Sequence, residues 1–181
     1  MRTYKGILAL LLTALSLCLV SCGSREPGVL EGKWAYIHDK ETSAFTFKGD
    51  QAEFEGKKYT YSVDGGFIRL TRNGESEDLR YIPTEDGMYI YLKTPYEREN
   101  GTGQEGLLGK WVNREKRWSF EFRENGEFNE DGFFPGHFRL DEEASSFTLM
   151  YVDHFEDTVC YYTIEGDVLT VEYPWQLVKM P

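Results

Sequence analysis

Apolar and polar residues alternate with a period of two along most of the chain after residue 29, and helical spacing is nearly absent. Trp34 and Tyr36 share one face of a first predicted strand. Phe45 and Phe47 share one face of the next. Such alternation is typical of antiparallel strands that bury one face, so the pattern predicts an all-β protein.

Turn signals divide these alternating runs into short strands. Asp64-Gly65-Gly66 separates two runs, and Asn73-Gly74 follows the second. These residues favour hairpins because they tolerate a positive φ. Glu85-Asp86-Gly87 predicts one more hairpin before the apolar run that ends at Leu92. Together they predict about seven strands, each roughly five or six residues long, between residues 29 and 94.

The second part of the chain repeats the first. Leu30-Glu31-Gly32-Lys33-Trp34 recurs as Leu107-Leu108-Gly109-Lys110-Trp111. Other strands and turns recur after it in the same order, which predicts a tandem duplication. Three pairs of residues give offsets of 77, 75 and 79: Trp34 and Trp111, Phe47 and Phe122, and Gly87 and Gly166.

Residues 95–106 are polar and rich in glycine, which predicts a flexible linker between the two copies. We therefore expect a first unit over residues 29–94 and a second over residues 107–175. Each is expected to form an antiparallel meander barrel or half-barrel of about seven short strands.

Residues 1–21 have the features of a targeting segment. Two basic residues precede an apolar run that is too short to span a bilayer comfortably. The run ends in Leu19-Val20-Ser21-Cys22, which resembles the signal of bacterial lipoproteins. The resemblance implies that Cys22 becomes a lipid-modified N-terminus and that residues 22–28 form a short tether. An ordinary secretory signal with an incidental cysteine is the alternative.

Removal of residues 1–21 leaves 160 residues, with 18 basic and 31 acidic side chains and a net charge of −13. So acidic a chain is a poor partner for nucleic acid, and it lacks the basic patches that bind anionic lipid. We expect a protein of the bacterial cell envelope that contacts the membrane through its anchor. Cys160, in an apolar strand-like setting, is expected to be a buried inert thiol, with a catalytic nucleophile as the alternative.

The order of motifs resembles the small lipocalin-like domains of bacterial lipoproteins. It comprises Gly-x-Trp, a Phe-x-Phe strand ending in a turn, a Tyr-rich strand and a Gly-Asp-x-Leu-Thr-Val hairpin, in two copies over nearly all of residues 30–173. The resemblance implies that Trp34 and Trp111 pack at the closed ends of two barrels. Units of this size close over their own aromatic side chains, so recognition is expected on a rim, a sheet face or the groove between the units.

Few residues suggest catalysis or metal binding. Residues 22–181 contain no nucleotide-binding glycine loop, nucleophile elbow, zinc-protease helix or calcium loop. Carboxylates occur in most loops of so acidic a chain and are usually only solvated, so we expect no enzyme, metal or cofactor. The candidates weighed are a metal site of His137, Asp153, His154, Glu156 and Asp157, and a glycosidase pair of Asp141 with Glu142 or Glu143.

Four residues are candidates for binding. Phe133, Phe134 and His137 stand beside Pro-Gly. We expect the two aromatic rings to plug one end of the second barrel, and an exposed hydrophobic lip that contacts a partner is the alternative. Trp175 follows the last predicted strand. It either fills the cleft between the units or is partly exposed as a recognition residue.

We therefore expect a lipid-anchored, extracytoplasmic, non-catalytic binding protein whose ligand is unknown. The alternative is an envelope protein that binds or inhibits a protein partner without a small-molecule ligand. Hydrolysis of an envelope sugar or peptide is a third hypothesis. A cavity of a few hundred cubic ångströms lined by aromatic residues would indicate a small molecule. Filled barrels with one exposed apolar patch would indicate a protein partner.

Overall fold

The computed structural model describes residues 30–99, 106–153 and 155–181. Regular structure in these ranges consists of β-strands alone, as the alternating pattern predicts. The strands are β1 (Gly32–Tyr36), β2 (Phe45–Lys48), β3 (Gln51–Phe54), β4 (Lys57–Asp64), β5 (Phe67–Arg72), β6 (Glu75–Pro83), β7 (Gly87–Arg98), β8 (Gly109–Asn113), β9 (Trp118–Phe122), β10 (Glu127–Glu130), β11 (Phe134–Asp141), β12 (Ser146–Tyr151), β13 (Thr158–Glu165) and β14 (Val168–Lys179).

All fourteen strands belong to one antiparallel meander sheet. Each strand pairs with the next along the chain, and β1 pairs with β14, so the sheet closes in a ring. The expected all-β antiparallel meander is therefore confirmed. The expectation of two tandem barrels is not, because the described strands form one closed sheet. In the β4–β5 hairpin the positive φ angles lie at Gly65 and Gly66, one residue later than the Asp-Gly pair indicates.

One further pairing crosses this ring. Strands β7 and β14, each of 12 residues, run antiparallel from Gly87 opposite Val178 to Glu97 opposite Val168. The central pair of this ribbon is Leu92 opposite Tyr173. The ring is thereby divided into two circuits: β1–β6 close on one end of the ribbon, and β8–β13 close on the other.

The ribbon occupies residues that were expected to lie outside the two units. Residues 95–98, expected to begin a flexible linker, instead form the end of β7, where Tyr96 and Arg98 are buried. Strand β14 likewise continues past residue 175 to Lys179 and pairs there with β1. The rest of the expected linker, residues 100–105, lies outside the described residues.

Each circuit surrounds a core of its own. The first contains Trp34, Phe45 and Phe47, and the second contains Trp111, Phe120 and Phe122 along with other buried aromatic rings. These side chains are almost fully excluded from solvent, so both tryptophans belong to cores, as expected. In the described ranges Cys160 is the one cysteine and is free, so the large apolar area that these rings bury is the main stabilising contribution there.

The two tryptophans have matching surroundings. The Trp34 indole Nε1 donates a hydrogen bond to the Leu30 carbonyl at 2.7 Å, and Trp111 Nε1 donates one to the Leu107 carbonyl at 2.8 Å. A cation at the end of a ribbon strand lies over each ring: Lys179 Nζ is 5.7 Å from the centre of the Trp34 ring, and Arg98 Cζ is 4.0 Å from that of Trp111. These contacts add cation–π attraction to the burial of each indole.

Replacing either core tryptophan with alanine should destabilise the protein. We expect Trp34→Ala and Trp111→Ala each to lower the free energy of unfolding by about 3–5 kcal/mol, because each leaves a cavity in a close-packed core. Equilibrium urea unfolding measures this loss. Trp118→Ala is the matched control, since Trp118 is only partly buried, and its loss should be smaller.

Unfolding of the two circuits should also be coupled. Because β7 and β14 belong to both circuits, both tryptophan variants should shift one common transition, followed by fluorescence and by circular dichroism. Two separate transitions, each moved by only one of the variants, would show instead that the circuits unfold independently.

Candidate functional site

Four large apolar side chains are exposed together at one edge of the second circuit. Phe133 is 81% exposed, Val152 69%, Phe155 57% and Phe134 41%. We call these four residues the apolar lip. Phe133 and Phe134 therefore do not plug the second core, and the interpretation as a plug is wrong. The strand pattern alone left this open, because a turn between β10 and β11 can place its side chains on either side of the sheet.

The lip is held by contacts between two loops. The Phe134 and Phe155 rings meet edge to face, with 5.8 Å between their centres. The Val152 amide donates a hydrogen bond to the Pro135 carbonyl at 3.1 Å, which joins the β12–β13 loop to the start of β11. The Phe133 amide donates to the Glu130 carbonyl at 3.1 Å, which closes the β10–β11 turn. The apolar side chains are thus presented by a bonded framework.

A cluster of titratable side chains lies directly beneath the lip. The Tyr151 hydroxyl donates a hydrogen bond to Glu130 Oε2 at 2.5 Å and lies 3.3 Å from the Tyr173 hydroxyl. The Tyr151 ring contacts the Phe155 ring with 5.5 Å between centres. The cluster therefore touches the lip on one side and the central ribbon on the other.

Burial changes the acidity of this cluster. It raises the pKa of Glu130 to about 7, with a smaller opposing effect from the Tyr151 hydrogen bond. It also raises the pKa of Tyr173 to about 12 and that of Tyr151 further, and the nearby Glu130 charge adds to both. Glu130 is therefore close to half-protonated near neutral pH, while both tyrosines stay protonated.

The first circuit has no such cluster at the equivalent position. Glu130 pairs with Phe120 across β9 and β10, and the corresponding partner of Phe45 across β2 and β3 is Phe54. The Phe54 ring stacks on Phe45 with 4.2 Å between centres. Sequence reasoning missed Glu130. The available signal is its place two residues after Phe128, on the inward-facing side of a strand.

The structure separates the other predicted binding residues. Trp175 is half-buried where the two cores meet, with ring centres 5.5 Å from Tyr36, 5.9 Å from Tyr173 and 6.3 Å from Trp118. It therefore reaches the polar cluster through Tyr173. His137 is exposed on β11 and is not one of the apolar residues of the lip. A binding role for either residue stays a prediction.

Two residues that were weighed for catalysis, Cys160 and Asp141, have environments typical of structural residues. Cys160 is fully buried, and burial raises the pKa of its thiol, which disfavours the nucleophilic thiolate. Asp141 Oδ1 accepts a hydrogen bond from the Ala144 amide at 3.0 Å and so shapes a turn. Within the described ranges no three His, Cys, Asp or Glu side chains are grouped to hold a metal ion. His154 lies outside the described residues.

Two depressions lie at the surface. One of about 220 Å³ is bordered by Tyr36, Phe54 and Glu55 at the edge of the first circuit. Another of about 410 Å³ is wide open beside Leu108 and Phe122. Neither is an enclosed aromatic cavity of the kind that holds a small apolar ligand.

Comparison of the chain with models of protein families, with curated proteins and with solved structures gave no match. In the part of the chain that the structure describes, no helix has the length and apolar character needed to cross a membrane.

Glu130 should make stability depend on pH. Its pKa is about 7 in the folded protein against 4.5 for an exposed glutamate, so the folded state holds the proton more tightly between these values. Stability therefore falls as pH rises through this window, and at pH 8 the ionised carboxylate costs up to about 3 kcal/mol. Glu130→Gln cannot ionise and should raise the free energy of unfolding at pH 8 by about 1–3 kcal/mol.

Urea unfolding of both proteins at pH 4, 6 and 8 measures this difference. Glu124→Gln, at an exposed position six residues earlier, is the matched control and should follow the wild type. Equal stability of Glu130→Gln and wild type at all three values would show that Glu130 is not buried as the structure places it.

Proposed function

We propose that the protein is a lipid-anchored, extracytoplasmic, non-catalytic interaction protein that binds a protein partner through its apolar lip. The lip carries this proposal. Exposed apolar side chains are individually common on soluble proteins. Four on two segments that are joined by a ring contact and a backbone hydrogen bond are typical of a contact surface. Phe133 is 81% exposed, so among the four lip residues it gains most from burial against a partner.

The cores favour a protein partner over a small molecule. Phe45, Phe47, Phe120, Phe122 and Phe147 are at most 2% exposed, so aromatic rings fill the space that a carried ligand would need. Of the two functions expected from the sequence, binding without a small-molecule ligand is therefore the better supported. The surface depression beside Tyr36 is open to solvent and therefore does not favour binding of a small molecule.

The proposal includes a chain built of two lipocalin-like halves. Of the described strands, seven lie before residue 100 and seven after residue 105. The paired environments of Trp34 and Trp111, each at the start of its half, support this description. The halves share the ribbon, so they belong to one sheet and are not joined by a linker alone.

The anchor is proposed from the sequence, since Cys22 lies outside the described residues. We expect Cys22→Ala to abolish incorporation of radiolabelled fatty acid into the full chain in cells and to prevent its maturation. Cys160→Ala is the matched control and should be labelled normally. Labelling that survives in Cys22→Ala would exclude this cysteine as the lipid attachment site.

Site-specific photo-cross-linking in cells tests the lip. The full chain carrying a benzophenone amino acid at position 133 should form a discrete protein adduct on irradiation, because a bound partner covers that ring. The same amino acid at Ile82, which is 44% exposed on the first circuit, is the control and should give little adduct. No protein adduct at position 133, or adducts to lipid only, would contradict a protein partner.

A further inference from the structure

We propose that the apolar lip is the centre of a two-fold interface between two copies of this chain. The inference rests on the proposed function, because it names the partner of the same surface. Its basis is the distribution of charge on either side of the lip.

Three chain segments follow one another along the edge that carries the lip. The β8–β9 turn adjoins the β10–β11 turn, since the Ser119 amide donates to Asp131 Oδ1 at 2.6 Å and the Asp131 amide to the Ser119 carbonyl at 2.9 Å. The β10–β11 turn adjoins the β12–β13 loop through the bond from Val152 to Pro135 at 3.1 Å. The lip therefore extends from the β10–β11 turn into the β12–β13 loop, and the β8–β9 turn adjoins it on the other side.

These flanking segments carry opposite charges. The β8–β9 turn holds the exposed cations Arg114, Lys116 and Arg117, with Glu115 as its one carboxylate. Arg114 lies 3.7 Å from Glu97 on β7, so Lys116 and Arg117 supply most of the positive charge. The described residues of the β12–β13 loop, 152–153 and 155–157, include three exposed carboxylates and no lysine or arginine; these are Asp153, Glu156 and Asp157. The edge is thus positive at the β8–β9 turn and negative in the loop that carries Val152 and Phe155.

Such a surface is complementary to itself. A two-fold axis through the lip places the basic turn of one copy against the acidic loop of the other, twice, while the four apolar side chains meet at the centre. A protein of net charge −13 after removal of residues 1–21 repels its own copies at a distance. Local pairing of opposite charges offsets that repulsion at this edge. An anionic membrane surface fits poorly, because carboxylates border the lip.

The contact area is modest, so the interaction of free copies is expected to be weak. Anchoring two copies in the same membrane raises their effective concentration and favours pairing. The interface therefore suits a tethered protein, and it should be tested with the full chain in its own membrane.

Intermolecular disulfide formation in cells tests the axis directly. Phe133 and Phe155 lie at the proposed centre, so Phe133→Cys or Phe155→Cys should give a disulfide-linked dimer on a non-reducing gel, as the oxidising envelope permits. Cys160 is buried and does not compete. Ile82→Cys is the control for an exposed cysteine away from the lip and should stay monomeric.

A charge exchange in the Phe133→Cys background tests the pairing. Lys116→Glu with Arg117→Glu should lower the dimer fraction by about fivefold or more, and Glu156→Lys with Asp157→Lys should do the same. The four changes together exchange the signs on both sides of the lip and should restore the dimer to within about twofold of its starting level. The control is Glu75→Lys with Glu77→Lys, at exposed positions of the first circuit. It changes the net charge by as much as Glu156→Lys with Asp157→Lys, and it should not lower the dimer fraction.

Absence of a dimer from both cysteine variants would overturn the inference. The inference would also be overturned if the charge changes left the dimer yield unaltered. It would be overturned likewise if the fourfold charge exchange failed to restore the dimer. If position 133 nevertheless forms a photo-adduct with a different protein, the proposed function stands and only the second copy is excluded as its partner. If position 133 forms no protein adduct, the proposed function itself fails.

Discussion

The pairing of β7 with β14 is the interaction on which the rest of the structure depends. Each strand closes the circuit of its own half at one end and that of the other half at the other end. Arg98 and Lys179, which lie over the two core tryptophans, are 81 residues apart. Leu92 and Tyr173 are also 81 residues apart and face each other at the middle of the ribbon. The halves are therefore related by an approximate two-fold axis at that pair.

This symmetry recurs on the outer face of the ribbon. Arg80 lies 3.6 Å from Glu172, and the equivalent residues Tyr161 and Tyr91 meet ring to ring at 5.5 Å. Arg80 also lies over the Tyr161 ring at 3.8 Å, which joins the two halves directly. An ion pair at one place corresponds to an aromatic pair at the other. The two halves thus differ in chemistry at this place while keeping the same backbone register.

Sequence reasoning found the strands because alternation and turn residues act locally, and it found the duplication because Gly-Lys-Trp recurs. It could not find the ribbon, since the pairing of residues 95–97 with β14 is a long-range contact and their polar composition hides it. The offset in the last strand is accordingly 81, where the Gly87–Gly166 match indicates 79. For the site, sequence named Phe133 and Phe134 as candidates but favoured their burial as a plug, and it missed Val152, Phe155 and Glu130.

The second half differs from the first at the apolar lip. The polar cluster of Glu130, Tyr151 and Tyr173 beneath the lip explains how this difference is maintained. Glu130 occupies a position at which the first half has the partly buried ring of Phe54, stacked on Phe45. A buried carboxyl costs stability unless it is bonded, and the Tyr151 hydroxyl supplies that bond while its ring packs against Phe155. The same tyrosine therefore satisfies the core and positions the lip. A purely apolar core would hold the sheet equally well but would leave the β12–β13 loop without this attachment, so the polar substitution is best understood as serving the surface.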